Sequence, residues 1–291
     1  YFKYSPYKSL SNDQHDSIIK ILRVLNKNKK GKIFVEGGPG TGKTILAIYL
    51  MKLIKTHIQD FHLDESDEVY SEEIKSVLKF KKKYPNPKVA FVVPMTSLRQ
   101  TLKKVFRSVK GLKANMVIGP SEVVKNHYDL LIIDEAHRLK KRKNITNYGS
   151  FDAINNKLGL EIEKGTELDW IIIKSTHQIF FYDQNQSIKP SDVDENRFLI
   201  EKKNSKKIKL ISQHRVTGGV DYINFIDSLL KGTLTKTFNE INNSDYELKL
   251  FENINEMHGL LQKKEKIHGL CRMLAGISWE WKSKKNTNSK A

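Results

Sequence analysis

The run Gly37-Gly38-Pro39-Gly40-Thr41-Gly42-Lys43-Thr44 restricts this chain more than any other feature of its sequence. Its spacing matches a phosphate-cradling loop, and its flanks are those such a loop requires: an apolar strand-like run at 32–36 before it and a helical run at 42–55 after it. Glycines let the backbone curl so that successive N–H groups converge on phosphate oxygens, and the positive end of the following helix adds to that field. Lys43 is therefore expected to reach the β- and γ-phosphates of a nucleoside triphosphate and the Thr44 hydroxyl to ligate Mg²⁺, while Gly37, Gly38, Pro39, Gly40, Thr41 and Gly42 line the nucleotide. A chance glycine turn would account for neither flank.

The remaining pattern repeats that unit. A helix is predicted at 11–28, where Ile18, Ile19, Ile21, Leu22 and Leu25 recur at helical spacing behind Ser11. Apolar strands follow at 89–93, 115–118, 129–133, 178–182 and 207–211, with helices at 97–109, 168–175 and 220–230. Strands alternating with helices imply an α/β fold with a parallel, doubly wound sheet. The mixed-charge segment at 58–87 reads as a surface insertion with one helix, and 139–149 as a basic loop. Further on, strands are predicted at 246–251 and 270–277 around a helix at 254–266, and the tail 282–291 as disordered.

A second acidic motif lies where a strand ends. Asp129-Leu130-Leu131-Ile132-Ile133-Asp134-Glu135-Ala136-His137 is an apolar run closed by adjacent carboxylates. Asp134 is placed to hold Mg²⁺, and Glu135 to polarise an attacking water beside the γ-phosphate. The glutamate favours hydrolysis over phosphoryl transfer to another acceptor, since a kinase must keep water out.

Charge suggests the partner. The chain has 51 Lys plus Arg against 33 Asp plus Glu, a formal net charge of +18, which suits a polyanion such as DNA or RNA. Lysine-rich composition that merely solvates the surface is the competing explanation. Cys271 is the one cysteine, which rules out an internal disulfide and cysteine-built metal clusters. No run approaches a membrane span in length and 1–10 lacks the zones of a secretory signal, so the expected setting is the cytoplasm, with no membrane partner.

Beyond these motifs the chain resembles the superfamily 1 helicases, and within them a bacterial family whose ATPase domain is related to the helicase region of Schlafen proteins. The resemblance rests on Val93-Pro94-Met95-Thr96-Ser97-Leu98-Arg99, Asp134-Glu135-Ala136-His137-Arg138-Leu139, Glu167-Leu168-Asp169-Trp170-Ile171, Phe181-Tyr182-Asp183-Gln184-Asn185-Gln186-Ser187 and Gln213-His214-Arg215-Val216, in that order and spacing. It implies a recA-like P-loop sheet flanked by helices, an ATPase of the DNA or RNA helicase type, and ATP with Mg²⁺ as cofactors. It also implies that Gln14 reads adenine, Gln186 senses the γ-phosphate, and Arg215 stabilises charge on the transferred phosphoryl group. Thr96, Ser97 and Arg99 would contact the phosphates of a single strand. Each role has a plainer rival: a capping box at Ser11 for Gln14, a polar turn for Gln186, a surface arginine for Arg215 and an ordinary helix cap for 94–99. Trp170, Trp279 and Trp281 are offered for base stacking, with core packing the favoured use.

The implied domains are a recA-like unit at 1–205, with its insertion at 58–87, and an incomplete second motor unit at 206–281. Late motifs of a complete two-domain motor are not found, which leaves an ATP-gated switch that binds without unwinding as the alternative. Nothing in the sequence builds a nuclease site, so a nuclease domain or partner protein would be separate.

Overall fold

The structure, a computed structural model, describes residues 10–61, 68–186, 189–211, 219–233 and 248–274. By its contacts the chain divides into two compact units, Tyr1–Val220 and Asp221–Ala291.

The first unit is an α/β layer structure built on a parallel sheet of six strands, in the order β3-β2-β4-β5-β1-β6. These are β1 (Gly31–Glu36), β2 (Val89–Val92), β3 (Val117–Ile118), β4 (Tyr128–Ile133), β5 (Ser175–Tyr182) and β6 (Lys206–Lys209). Helix α1 (Asn12–Lys27) precedes β1, and α2 (Lys43–Lys55), α3 (Glu68–Lys83), α4 (Thr96–Ser108), α5 (Tyr148–Lys157), α6 (Glu167–Ile173) and α7 (Glu195–Lys203) fall between the strands. Parallel strands are covered on both faces, so β2, most of β4 and the second half of β5 are continuous apolar runs rather than alternating. On one face Ile33, Val35, Phe91, Ile132, Ile179 and Phe181 pack with Leu22, Met51, Phe80 and Phe106 from α1 to α4. On the other, Phe34, Val92, Leu131, Ile133, Phe180 and Tyr182 meet Leu168, Ile171 and Phe198 from α6 and α7.

Register decides which loops meet. Glu36 of β1 pairs with Tyr182 of β5, and Ile133 of β4 with Phe180 of β5. The residues that follow β1, β4 and β5 therefore leave the sheet along one edge, at the carboxyl ends of the strands, where ligands of open α/β sheets bind.

The expected elements through β6 are present, with two additions and one relocation. α5 and α7 were not predicted; Asn147 caps the first, and the second carries a single fully buried apolar side chain, Phe198, in a polar stretch. α3, expected on the surface, buries Ile74, Val77 and Phe80. Its Glu73 carboxylate meets His15 Nδ1 of α1 at 2.6 Å and accepts from Tyr49 OH of α2 at 2.7 Å.

Helices α8 (Gly219–Lys231) and α9 (Ile254–His268) follow, α8 beginning at the end of the first unit. The strands predicted at 246–251 and 270–277 are corrected where they are described: 248–251 and 270–274 form no strand. An apolar run needs a paired neighbour to become a strand, and Leu250, Leu270 and Leu274 are instead strongly exposed. Residues 246–247, 275–277 and the tail 282–291 lie outside the described residues, as do Trp279 and Trp281.

Candidate functional site

The glycine loop follows β1 directly. Gly40 and Gly42 have φ of 87° and 80°, a region open to glycine at little strain. A Cβ on Gly37 would stand 2.5 Å from Thr41 Oγ1, whereas one on Gly38 would meet nothing within 4 Å. The Thr41 hydroxyl donates to Gly38 O at 3.0 Å and closes the loop. Lys43, nearly buried, folds its ammonium onto Gly37 O at 2.5 Å and Gly38 O at 2.9 Å, with Asp183 Oδ2 at 3.4 Å.

Asp134 and Glu135 stand opposite this loop. Thr44 Oγ1 donates to Asp134 Oδ2 at 2.8 Å, while the fully buried Asp134 Oδ1 has no hydrogen-bond partner among the described residues. Burial and the neighbouring Glu135 push the Asp134 carboxyl up to about 7, against the Thr44 hydroxyl, which lowers it. An orphaned buried carboxylate oxygen beside a threonine hydroxyl is the oxygen donor set that suits a hard divalent cation such as Mg²⁺. Glu135 takes a left-handed backbone conformation, φ 52°, that turns the chain away from the sheet. Burial alone would raise its carboxyl, but the His137 ring, then Lys43 and Arg138, hold it below the usual glutamate range. His137 Nε2 is 3.0 Å from Glu135 Oε2, yet neither ring nitrogen has hydrogen-bond geometry to a partner among the described residues.

Asp183 follows β5 as Asp134 follows β4, inside a motif that the sequence marks but with no role of its own assigned there. Its Oδ2 accepts from Gln186 Nε2 at 2.5 Å as well as facing Lys43, and so links the candidate sensor to the phosphate loop. Gln14 is buried, and both readings of it coexist. It completes the capping box with Ser11, accepting from Ser11 N at 3.1 Å, and its Nε2 donates to Thr41 O at 3.2 Å. One amide hydrogen and one lone-pair direction remain for a further partner.

The strand-contact candidates lie at the start of α4. Thr96 and Ser97 are exposed, and Met95 at the N-cap makes no side-chain capping hydrogen bond. Arg99 instead turns inward, its guanidinium donating to Val93 O at 2.7 Å and Thr96 Oγ1 at 3.2 Å. Trp170 is buried and donates Nε1–H to Asn155 Oδ1 at 2.6 Å, a core role. Arg215 lies outside the described residues. Among the described residues no group of three or more His, Cys, Asp or Glu side chains could hold a metal ion, and no helix is long and apolar enough to cross a membrane.

Solved structures similar to this chain include two bacterial replication initiators and a helicase. AMPPCP-bound DnaA from Aquifex aeolicus is 15% identical, with 92% of this chain aligned to 66% of that one and a TM-score of 0.34. Domain III of DnaA from Thermotoga maritima is 12% identical over 93% of this chain and 92% of that one, at a TM-score of 0.35. A structure of two coordinating Pif1 helicases on forked dsDNA is 14% identical, covering 79% of this chain but only 50% of that one, at a TM-score of 0.35. Likenesses this remote assign no function. No curated protein matches the chain. The family model for the Schlafen group 3, DNA/RNA helicase domain matches residues 30–291, which takes in the phosphate loop, the acidic strand end and the Asp183–Gln186 turn. The chain belongs to the Schlafen group 3 DNA/RNA helicase domain family.

Proposed function

We propose that this chain is an ATP-hydrolysing motor domain of superfamily 1 helicase type whose turnover is regulated by single-stranded DNA or RNA. The observation that carries this reading is the meeting of Lys43, Thr44, Asp134, Glu135, Asp183 and Gln186 at one edge of the sheet, with Thr44 Oγ1 only 2.8 Å from Asp134 Oδ2. ATP supplies the phosphoric anhydride bond to be cleaved, and Mg²⁺ supplies charge neutralisation at its phosphate oxygens.

This chain's residues do the rest. The Lys43 ammonium exchanges its contacts with Gly37 O and Gly38 O for phosphate oxygens, remaining within reach of Asp183. Thr44 and Asp134 hold the cation. Glu135, kept ionised by the His137 ring, Lys43 and Arg138, accepts the proton of the attacking water. Gln186 leaves Asp183 to meet the γ-phosphate, Gln14 recognises the base, and Arg215 steadies developing charge. Thr96, Ser97 and the amides at the start of α4 grip strand phosphates, and Arg99 shapes that segment.

Phosphate release from Mg-ATP, measured with and without single-stranded DNA or RNA, tests this reading. A strand should accelerate release, and Lys43→Ala should abolish it. Glu135→Gln should keep nucleotide binding while turnover falls about 100-fold. Unchanged turnover in Glu135→Gln would sink the mechanism. Turnover with strand binding but no displacement of a tailed duplex would identify an ATP-gated switch instead.

A further inference from the structure

Two loops leave the sheet beside the candidate site, and they are tied together at one place. The first follows β4 through Glu135 to Lys141. The second, described at 183–186 and 189–194, joins β5 to α7 and carries Asp183 and Gln186. Val193 N donates to Leu139 O at 2.8 Å and Lys141 N to Ser191 O at 2.9 Å, so that Lys140 and Asp192 face each other as an isolated antiparallel bridge. The backbone of Lys140 is gripped from its other side by Glu167 of α6, which accepts from Lys140 N at 2.9 Å and donates its own N–H to Lys140 O at 3.0 Å.

Asp192 organises the second loop. Its N–H donates to Lys189 O at 2.9 Å, closing a turn with Pro190 in second place, the position proline favours. Its carboxylate accepts from Lys189 N at 3.1 Å and from Arg138 Nη1 at 3.3 Å. That carboxylate is only 3% exposed and the Arg138 side chain 18%, so water screens the pair little. Arg138 stands three residues after Glu135 and closes the short helical turn that Glu135 opens, with Arg138 N donating to Glu135 O at 2.9 Å.

We propose that Arg138 and Asp192 are a positioning pair that fixes the loop carrying Asp183 and Gln186 against the turn carrying Glu135. The inference rests on the hydrolase reading above. The water-activating carboxylate and the γ-phosphate sensor sit on separate loops, and the bridge at Lys140 and Asp192 with its ion pair sets the distance between them. A small displacement of either group from its productive geometry costs turnover without touching the groups that bind phosphate.

The test uses Asp192→Asn, which keeps an acceptor for Lys189 N but removes the charge facing Arg138, together with Arg138→Met, Arg138→Lys and the Asn–Met double variant. In the nucleotide-free chain, amide hydrogen exchange at Lys141 and Val193 should quicken several-fold in Asp192→Asn, with the amides of β1 and β4 unchanged. Either single change should lower kcat about tenfold while nucleotide Kd stays within about twofold, and Arg138→Lys should recover most of the loss. The double variant should be no slower than the slower single one, because the two residues act as one unit. Unchanged kcat, additive losses, or faster exchange across the whole sheet with binding weakened in step would overturn the proposal, the last by making the pair a stability contact only. A wild-type chain that releases no phosphate would overturn the hydrolase reading and this one with it, whereas normal wild-type turnover matched by the variants would overturn the pair alone.

Discussion

Two buried titratable residues away from the phosphate loop make opposite demands on pH. His177, on β5, donates or accepts one hydrogen bond with Tyr84 OH at 3.0 Å, and its Nδ1 has none among the described residues. Burial, with Lys83 adding to it and Asp129 opposing, lowers its pKa from 6.5 to about 4. The fold therefore resists protonation that the unfolded chain accepts near 6.5, so its contribution is present above that pH and is lost as pH falls toward 4. Urea denaturation of His177→Gln should show a pH dependence between 7 and 4 shallower than wild type by about 2 kcal/mol. Glu167 has the reverse sign. Burial raises its carboxyl from 4.5 to about 7, opposed by the Lys140 N–H and by the charges of Lys140 and Arg99, with Asp192 raising it further. Its protonated form is favoured in the fold, so stability present below 4.5 is lost as pH rises to about 7. Glu167→Gln, which keeps an acceptor for Lys140 N, should melt higher relative to wild type at pH 8 than at pH 5. A gap that does not change with pH would show that Glu167 carries no such load.

At the scale of elements, α3 is the piece whose role differs most from a surface insertion. Its Glu73 is fully buried and joins His15 of α1 to Tyr49 of α2, the helix that follows the phosphate loop, while Asn26 of α1 donates to Ser76 O at 2.9 Å. Glu73→Ala would leave the half-buried His15 imidazole and Tyr49 phenol without their shared acceptor, and should lower stability by about 2 kcal/mol in chemical denaturation. A loss below about 0.5 kcal/mol would mean that α3 is dispensable to the other two. The strand and helix alternation was legible because each βα unit announces itself locally, through an apolar run, a turn and a helical repeat. The polar α7 hid behind its one buried phenylalanine, and the expected strands at 246–251 and 270–277 failed where they are described, because apolar residues alone do not supply a partner strand. The site residues in contiguous motifs, such as Lys43, Asp134 and Glu135, could be read for the same local reason. Asp183 on Lys43 and Arg138 on Asp192 could not, since these contacts are set by strand order and by two loops distant in sequence.

For the whole molecule, the open question in the sequence is what the net charge of +18 does. Internal pairing accounts for part of the basic side chains: Arg142 is held by Asp152 and Glu163, Arg197 by Asp169 and Glu201, and Lys202 by Glu36. Others, among them Lys143 and Lys113, are exposed and make no salt bridge among the described residues. If those charges only solvate the surface, strand binding will be weak and nearly indifferent to salt. If they neutralise phosphates, each contact displaces a condensed counterion, and the logarithm of the association constant falls with the logarithm of salt by about 0.7 per contact on a single strand. Three to five contacts would give a slope of about −2 to −3.5, measured by fluorescence anisotropy on a labelled oligonucleotide between roughly 50 and 200 mM salt. Lys43→Ala should keep the wild-type slope, because its ammonium faces the phosphate loop and Asp183 rather than the surface. A slope near zero in both proteins would remove nucleic acid as the partner of this charge and leave the composition as its explanation.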